Sequence, residues 1–210
     1  MLVPRLLVPR LLVAVVLAAA LALPVRPGAA AETPAATVET LHQALIAVMK
    51  DAAQLSIEQR YAQLAPPLSA SYDFATMTRL AVGSAWTEAS PEQRAALVQA
   101  FSRLSIATYA KRFSGYSGER FETLGEKEGP RGTTLVETRL VRPADAPVPL
   151  TYVLQTQGQG SRIIDVILQG SISELAVRRS EYAQVLGKGG VDALTRLLQQ
   201  KADEMLRGGG

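Results

Sequence analysis

Cysteine and asparagine are both absent from this 210-residue chain, histidine and tryptophan occur once each, and aromatic residues make up only 5% of it. Without cysteine there is no disulfide, no thiolate metal site and no lipobox thiol for acylation. Without asparagine there is no N-x-S/T glycosylation acceptor. The single histidine, His42, stands three residues after Glu39 and cannot assemble the convergent ligands that a metal requires, so no metal site and no cofactor are expected. It reads as a partly exposed helix residue. A serine triad would need the same histidine, and no G-x-S-x-G elbow is present, since Gly83-Ser84 and Gly170-Ser171 both lack the second glycine. Gly187-Lys188-Gly189-Gly190 lacks the glycine spacing and the Lys-Ser/Thr ending of a phosphate loop.

What is present begins with an export signal. Met1, Arg5 and Arg10 form a positive n-region, Leu11 to Leu23 is an apolar run of 13 residues, and Ala29-Ala30-Ala31 supplies a cleavage site. The run falls short of the roughly 20 apolar residues needed to span a bilayer, and Pro24 and Pro27 follow it. Residues 1–31 are therefore expected to be removed, leaving a mature domain over 32–210. Cleavage takes away Arg5, Arg10 and Arg26 and no acid, so the formal charge falls from +3 to zero. A neutral chain lacks the excess of cations that phosphate backbones demand, which argues against nucleic acid as a partner. Arginine outnumbers lysine 17 to 5, as in proteins of GC-rich bacterial genomes, and the expected compartment is a bacterial periplasm.

Helical periodicity runs from Thr37 to Gln54 through Val38, Leu41, Leu45, Val48 and Met49. Ser56-x-x-Gln59 is a capping box for a second helix that Pro66-Pro67 should stop. Asp73 can cap a third, closed by Gly83, and Ser90-Pro91-Glu92-Gln93 opens a long helix to about Phe113. Strand patterns follow at Glu119 to Leu124, Thr133 to Val141, Leu150 to Thr156 and Arg162 to Leu168, separated by Gly or Pro turns. Helices return over Ser173 to Leu186 and Val191 to Met205, on either side of a glycine-rich break. The order implies an α+β fold with helices packed on a four-stranded antiparallel meander.

Asp165, inside the apolar strand Arg162 to Leu168, is the most unusual carboxylate, because burying a charge there is costly unless it is paired. It reads either as a general base, with Tyr152 assisting, or as a carboxylate held by an ion pair or by backbone near the strand end. Lys111-Arg112, between Tyr109 and Phe113, reads as a basic-aromatic cluster for lipid phosphate or as cations complementing a helix C-terminus. Arg178 and Arg179 are candidate phosphate ligands, although Glu174 and Arg178 form an ordinary i,i+4 surface pair by spacing. Met77, Leu80, Val82, Trp86, Phe101, Leu104, Tyr109, Tyr152, Leu154, Ile164, Val166 and Leu168 can face one another between sheet and helices, as core or as the lining of an apolar cavity.

Two sets of segments resemble the MlaC-type periplasmic lipid-binding proteins, auxiliary components of toluene-tolerance transport systems. One is Tyr72-Asp73-Phe74-x-x-Met77-x-Arg79-Leu80-Ala81-Val82-Gly83-x-x-Trp86 with Ser90-Pro91-Glu92-Gln93-Arg94; the other is Asp165-Val166 ahead of Gly170, then Arg179-Ser180-Glu181-Tyr182 and Gly189-Gly190-Val191-Asp192. Ile172-Ser173-Glu174-Leu175-Ala176 before Arg178-Arg179 is similar to the hopanoid-associated HpnM branch. Where the family places a tryptophan shortly before the Asp-Val strand, this chain has Ser161-Arg162-Ile163-Ile164. The resemblance implies an NTF2-like cone whose four-stranded sheet is wrapped by N- and C-terminal helices around an apolar cavity lined by the twelve residues above. It also implies a monomeric, non-enzymatic carrier that shuttles a membrane lipid, phospholipid or hopanoid, between an inner-membrane lipid transporter and an outer-membrane acceptor or donor complex. Two rival readings stand beside it: a small NTF2-like enzyme with Asp165 as base, and an adaptor that recognises envelope proteins through its helical face.

Overall fold

In the computed structural model, which describes residues 33–158 and 160–208, helices begin where short polar side chains hold their first free N–H groups. Thr33 caps α1 (Pro34–Asp51), Asp73 caps α3 (Phe74–Val82) and Ser173 caps α6 (Glu174–Leu206). Ser56 with Gln59, and Ser90 with Gln93, form reciprocal capping boxes at α2 (Ile57–Ser71) and α5 (Pro91–Arg112). Each such cap is worth about 1 kcal/mol. A four-residue helix, α4 (Ala85–Glu88), turns the chain between α3 and α5. The export signal expected over residues 1–31 lies outside the described residues.

Two helix boundaries differ from expectation. The second helix does not stop at Pro66-Pro67 but continues to Ser71. The carbonyls that these prolines leave unbonded belong to Ala62 and Gln63, both exposed, so water can satisfy them, while Leu64 and Leu68 anchor the helix on either side. The glycine-rich break is reduced to one kink in α6 at Gly190, whose φ of 65° and ψ of −165° only glycine adopts readily.

The sheet is an antiparallel meander of five strands rather than four, in the order β1 (Arg120–Glu128), β2 (Thr133–Arg142), β3 (Asp145–Gln157), β4 (Gly160–Leu168) and β5 (Ile172–Ser173). The fifth is a two-residue strand paired to Ile167 and Leu168, too short to leave a periodicity. β1 runs four residues past Leu124 through Glu126, Lys127 and Glu128, residue types depleted in strands and tolerated at an open edge. β3 starts five residues before Leu150 and includes Pro147 and Pro149. There β3 pairs only with β2, because β4 reaches no further than Leu168 opposite Leu150, so neither proline interrupts a second ladder. The other edge is partly closed by the end of α2, where Tyr72 bridges Ile163 and Asp73 N–H donates to the Ile163 carbonyl at 2.9 Å.

The core lies between one face of this sheet and the helices. Leu41 and Leu45 from α1, Leu64 and Leu68 from α2, Phe101 from α5, Leu194 and Leu198 from α6, and Val136, Leu154 and Ile163 from the sheet are all at most 1% exposed. Each such side chain contributes about 1.5–3 kcal/mol by leaving water. No helix among the described residues is long and apolar enough to cross a membrane.

Candidate functional site

Strand register divides the apolar residues of the sheet between two faces. Tyr152 stands opposite Val136 and Val166, whereas its neighbour Val153 stands opposite Leu135 and Asp165. The Tyr152 face packs on α1, and at its β1 end His42, Ile46, Tyr116 and Phe121 border a cleft of about 650 Å³. His42 is buried there rather than partly exposed: its ring stacks on Phe121 with centroids 3.9 Å apart, and its Nε2 shares a hydrogen bond of 3.0 Å with the Tyr152 hydroxyl. Burial lowers the His42 pKa to about 3, so the imidazole is neutral. Nearby, the hydroxyls of Tyr72 and Tyr109 bond each other, and burial raises the pKa of Tyr72, Tyr109 and Tyr152. This face is a neutral, hydrogen-bonded aromatic layer with no group poised to exchange a proton near pH 7.

The opposite face opens into a cleft. Between Val153–Asp165 and Leu154–Ile163 the register shifts, so β4 bulges and inserts Ile164 as an extra residue. Leu80, Thr76 and Arg79 of α3 roof the space beside the bulge, and Val153, Ile164 and Leu175 form its apolar floor. Thr133, Gln155, Asp165, Pro130 and Arg131 complete a cleft of about 480 Å³, within the roughly 300–1,000 Å³ usual for ligand pockets.

Asp165 borders this cleft but is held by its surroundings. Its Oδ1 accepts from the N–H groups of Val166 at 2.8 Å and Leu175 at 3.0 Å, and its Oδ2 accepts from the Ser173 hydroxyl at 2.6 Å. The carboxylate thereby ties β4 to the cap of α6, which is the backbone-bonded alternative named above. Tyr152 lies on the other face of the sheet and bonds His42, so the pairing of Asp165 with Tyr152 as base and hydrogen-bond donor is not formed.

The sequence matches the MlaC protein family over residues 39–200. The chain belongs to the MlaC family. No curated protein matches it. Among solved structures, the phospholipid-binding protein from Ralstonia solanacearum, in complex with a phospholipid, is similar with a TM-score of 0.72 at 22% sequence identity, over 84% of this chain and 99% of that one. At this identity the likeness establishes a shared fold.

Within this MlaC fold the twelve residues singled out from sequence gather on one hydrophobic cluster. Met77, Val82, Phe101, Leu104, Tyr152, Leu154, Ile164 and Val166 are members of it, and Leu80, Trp86, Tyr109 and Leu168 pack against it. Leu80 and Ile164 line the cleft under α3, Leu104 and Leu168 line a second cleft of about 410 Å³ between α5 and α6, and Trp86 borders a groove over Phe74 and Val98. Glu174 does not pair with Arg178. It binds Arg112 at 2.8 Å, while Arg178 lies over the Phe101 ring and donates to the Tyr182 hydroxyl at 3.3 Å. Among the described residues no group of three or more acidic or histidine side chains is placed to hold a metal ion. Sequence reasoning missed Val153, Leu175 and Arg131 as cleft residues. A signal for Val153 is present in the apolar triplet Tyr152-Val153-Leu154, which marks a strand covered on both faces.

Proposed function

We propose that this MlaC-family chain is a non-enzymatic carrier of a membrane lipid, phospholipid or hopanoid, in the periplasm. The observation that carries this reading is the apolar cleft between α3 and the bulged β4, in a chain of this family. That the Ralstonia solanacearum protein of the same fold binds a phospholipid supports it. The physical need is direct: at about 0.8 kcal/mol per methylene, a chain of about 16 carbons costs on the order of 12 kcal/mol to expose to water. A carrier must cover such a tail. A tail entering between Leu80 and Ile164 would lie along the apolar floor of Val153, Ile164 and Leu175.

In this proposal residues 1–31 direct export and residues 32–210 form one monomeric lipid-binding domain of NTF2-like type, which passes its cargo between an inner-membrane transporter and an outer-membrane complex. The similarity of residues 172–182 to the HpnM branch supports a hopanoid-associated role. Native mass spectrometry of the protein purified from the periplasm is expected to find stoichiometric lipid. Protein that is repeatedly empty, and that takes no lipid from vesicles, would refute the carrier reading.

A further inference from the structure

Gly190 divides α6 into two arms of equal length that are held very differently. The second, residues 191–206, buries Val191, Leu194, Thr195, Leu198 and Ala202 at 9% exposure or less. The first, residues 174–189, buries Leu175 and Tyr182 and leaves Val177 44% exposed, so less apolar burial holds it to the body. Its polar ties sit near its start. Glu174 meets Arg112 of α5 at 2.8 Å, the Leu175 N–H and the Ser173 hydroxyl donate to Asp165, and the Arg178 guanidinium lies over the Phe101 ring. A glycine with positive φ stands at each end of this stretch. Gly170, at φ 77°, turns the chain from β4 into the two-residue β5, and Gly190, at φ 65°, kinks α6. Such residues absorb backbone rotation at the least steric cost.

The first arm is also a partition. Leu175 lines the cleft under α3, whereas Glu174, Val177, Arg178 and Glu181 line the second cleft, between α5 and α6. Behind the arm lies Phe101, fully buried, with the Tyr182 ring set edge-on at a centroid distance of 6.5 Å. Moving the arm would carry Tyr182 and Arg178 off Phe101 and join the two clefts through the core. We propose that residues 171–189, which are β5 and the first arm of α6, form a lid that swings on Gly170 and Gly190 to admit a lipid tail, with the Arg112–Glu174 pair and Asp165 as its latch. This rests on the carrier reading and states how a closed core receives its cargo.

Because the chain has no cysteine, the lid can be locked by introduced thiols alone. Arg112→Cys/Glu174→Cys places two across the latch, and Arg103→Cys/Asp203→Cys places two across an ion pair of 2.6 Å between α5 and the second arm. Each variant, stripped of lipid, is joined by a short bis-maleimide and mixed with phosphatidylglycerol vesicles. Uptake is timed by native mass spectrometry against the same variant left unjoined. Joining the first pair should stop uptake, and joining the second, which ties the same two helices on the other side of Gly190, should leave its rate unchanged. In the lipid-free wild type, where no substitution bears on folding, amide hydrogen exchange at residues 174–189 should run ahead of that at residues 191–206. Uptake unslowed by the first link, equal arrest by the second, or uniform protection along α6 overturns the lid and leaves the carrier reading intact. Wild type that takes no lipid overturns both.

Discussion

Lowering the pH from 7 to 4.5 should remove about 2.5 kcal/mol of folding stability through His42 alone. Its imidazole is buried between Phe121 and Tyr152 and titrates at about 3 in the folded chain, against 6.5 as the ordinary value. The folded pKa is the lower one, so below pH 6.5 the unfolded chain binds a proton that the folded chain refuses. The stabilisation is complete above 6.5 and declines as pH falls, by about 1.4 kcal/mol per unit, until the folded imidazole itself protonates. Urea unfolding of the wild type and of His42→Gln at several pH values between 7 and 4.5 measures this directly. Subtracting the two profiles cancels the carboxylates, and what remains should rise to about 2.5 kcal/mol at pH 4.5. As the only histidine in the chain, His42 also reports its own titration by NMR without assignment. An imidazole that titrates near 6.5 in the native protein, or a difference profile that stays flat, would refute the reasoning.

Asp165→Ala strands the Ser173 hydroxyl and two backbone N–H groups and should cost about 3 kcal/mol in urea unfolding; a loss below about 0.5 kcal/mol would contradict its role as a corner tie. Ser90→Ala removes the hydroxyl of a capping box on the 22-residue α5 and should lower stability by about 1 kcal/mol, and an unchanged melting temperature would argue against the cap. Leu80→Trp fills the cleft from its α3 side and should lower lipid occupancy while circular dichroism stays native; full occupancy in this variant would place the tail elsewhere.

What sequence discloses depends on how local the deciding interaction is. The caps at Ser56 and Ser90 are legible because both partners lie within three residues. The Pro66-Pro67 boundary is misread because what keeps α2 helical is the burial of Leu64 and Leu68, a tertiary fact that propensity does not contain. His42 reads as a surface residue because its partner Tyr152 is 110 positions away. Asp165 stands out as a charge among apolar neighbours, but its alternatives separate only once Ser173 is seen eight residues on, across the β4–β5 turn. The cleft is hardest to read. It depends on a bulge that sends Ile164 out of register and on a turn that brings Arg131 toward α3, neither of which leaves a periodicity.

The open edge of the sheet bears on how the protein behaves in a crowded compartment. β1 offers a nine-residue row of backbone groups to solvent, the kind of template on which chains add strand to strand and aggregate. Arg120, Glu122, Glu126, Lys127 and Glu128 stud that row, and Glu122 bridges Arg120 and Arg139 at its start. A second copy docking there would have to take from water ions already engaged in pairs, Arg120, Glu122 and Lys127 among them. A sheet left unclosed on this side can therefore stay dispersed at high concentration, guarded by charge where another fold would use a covering helix.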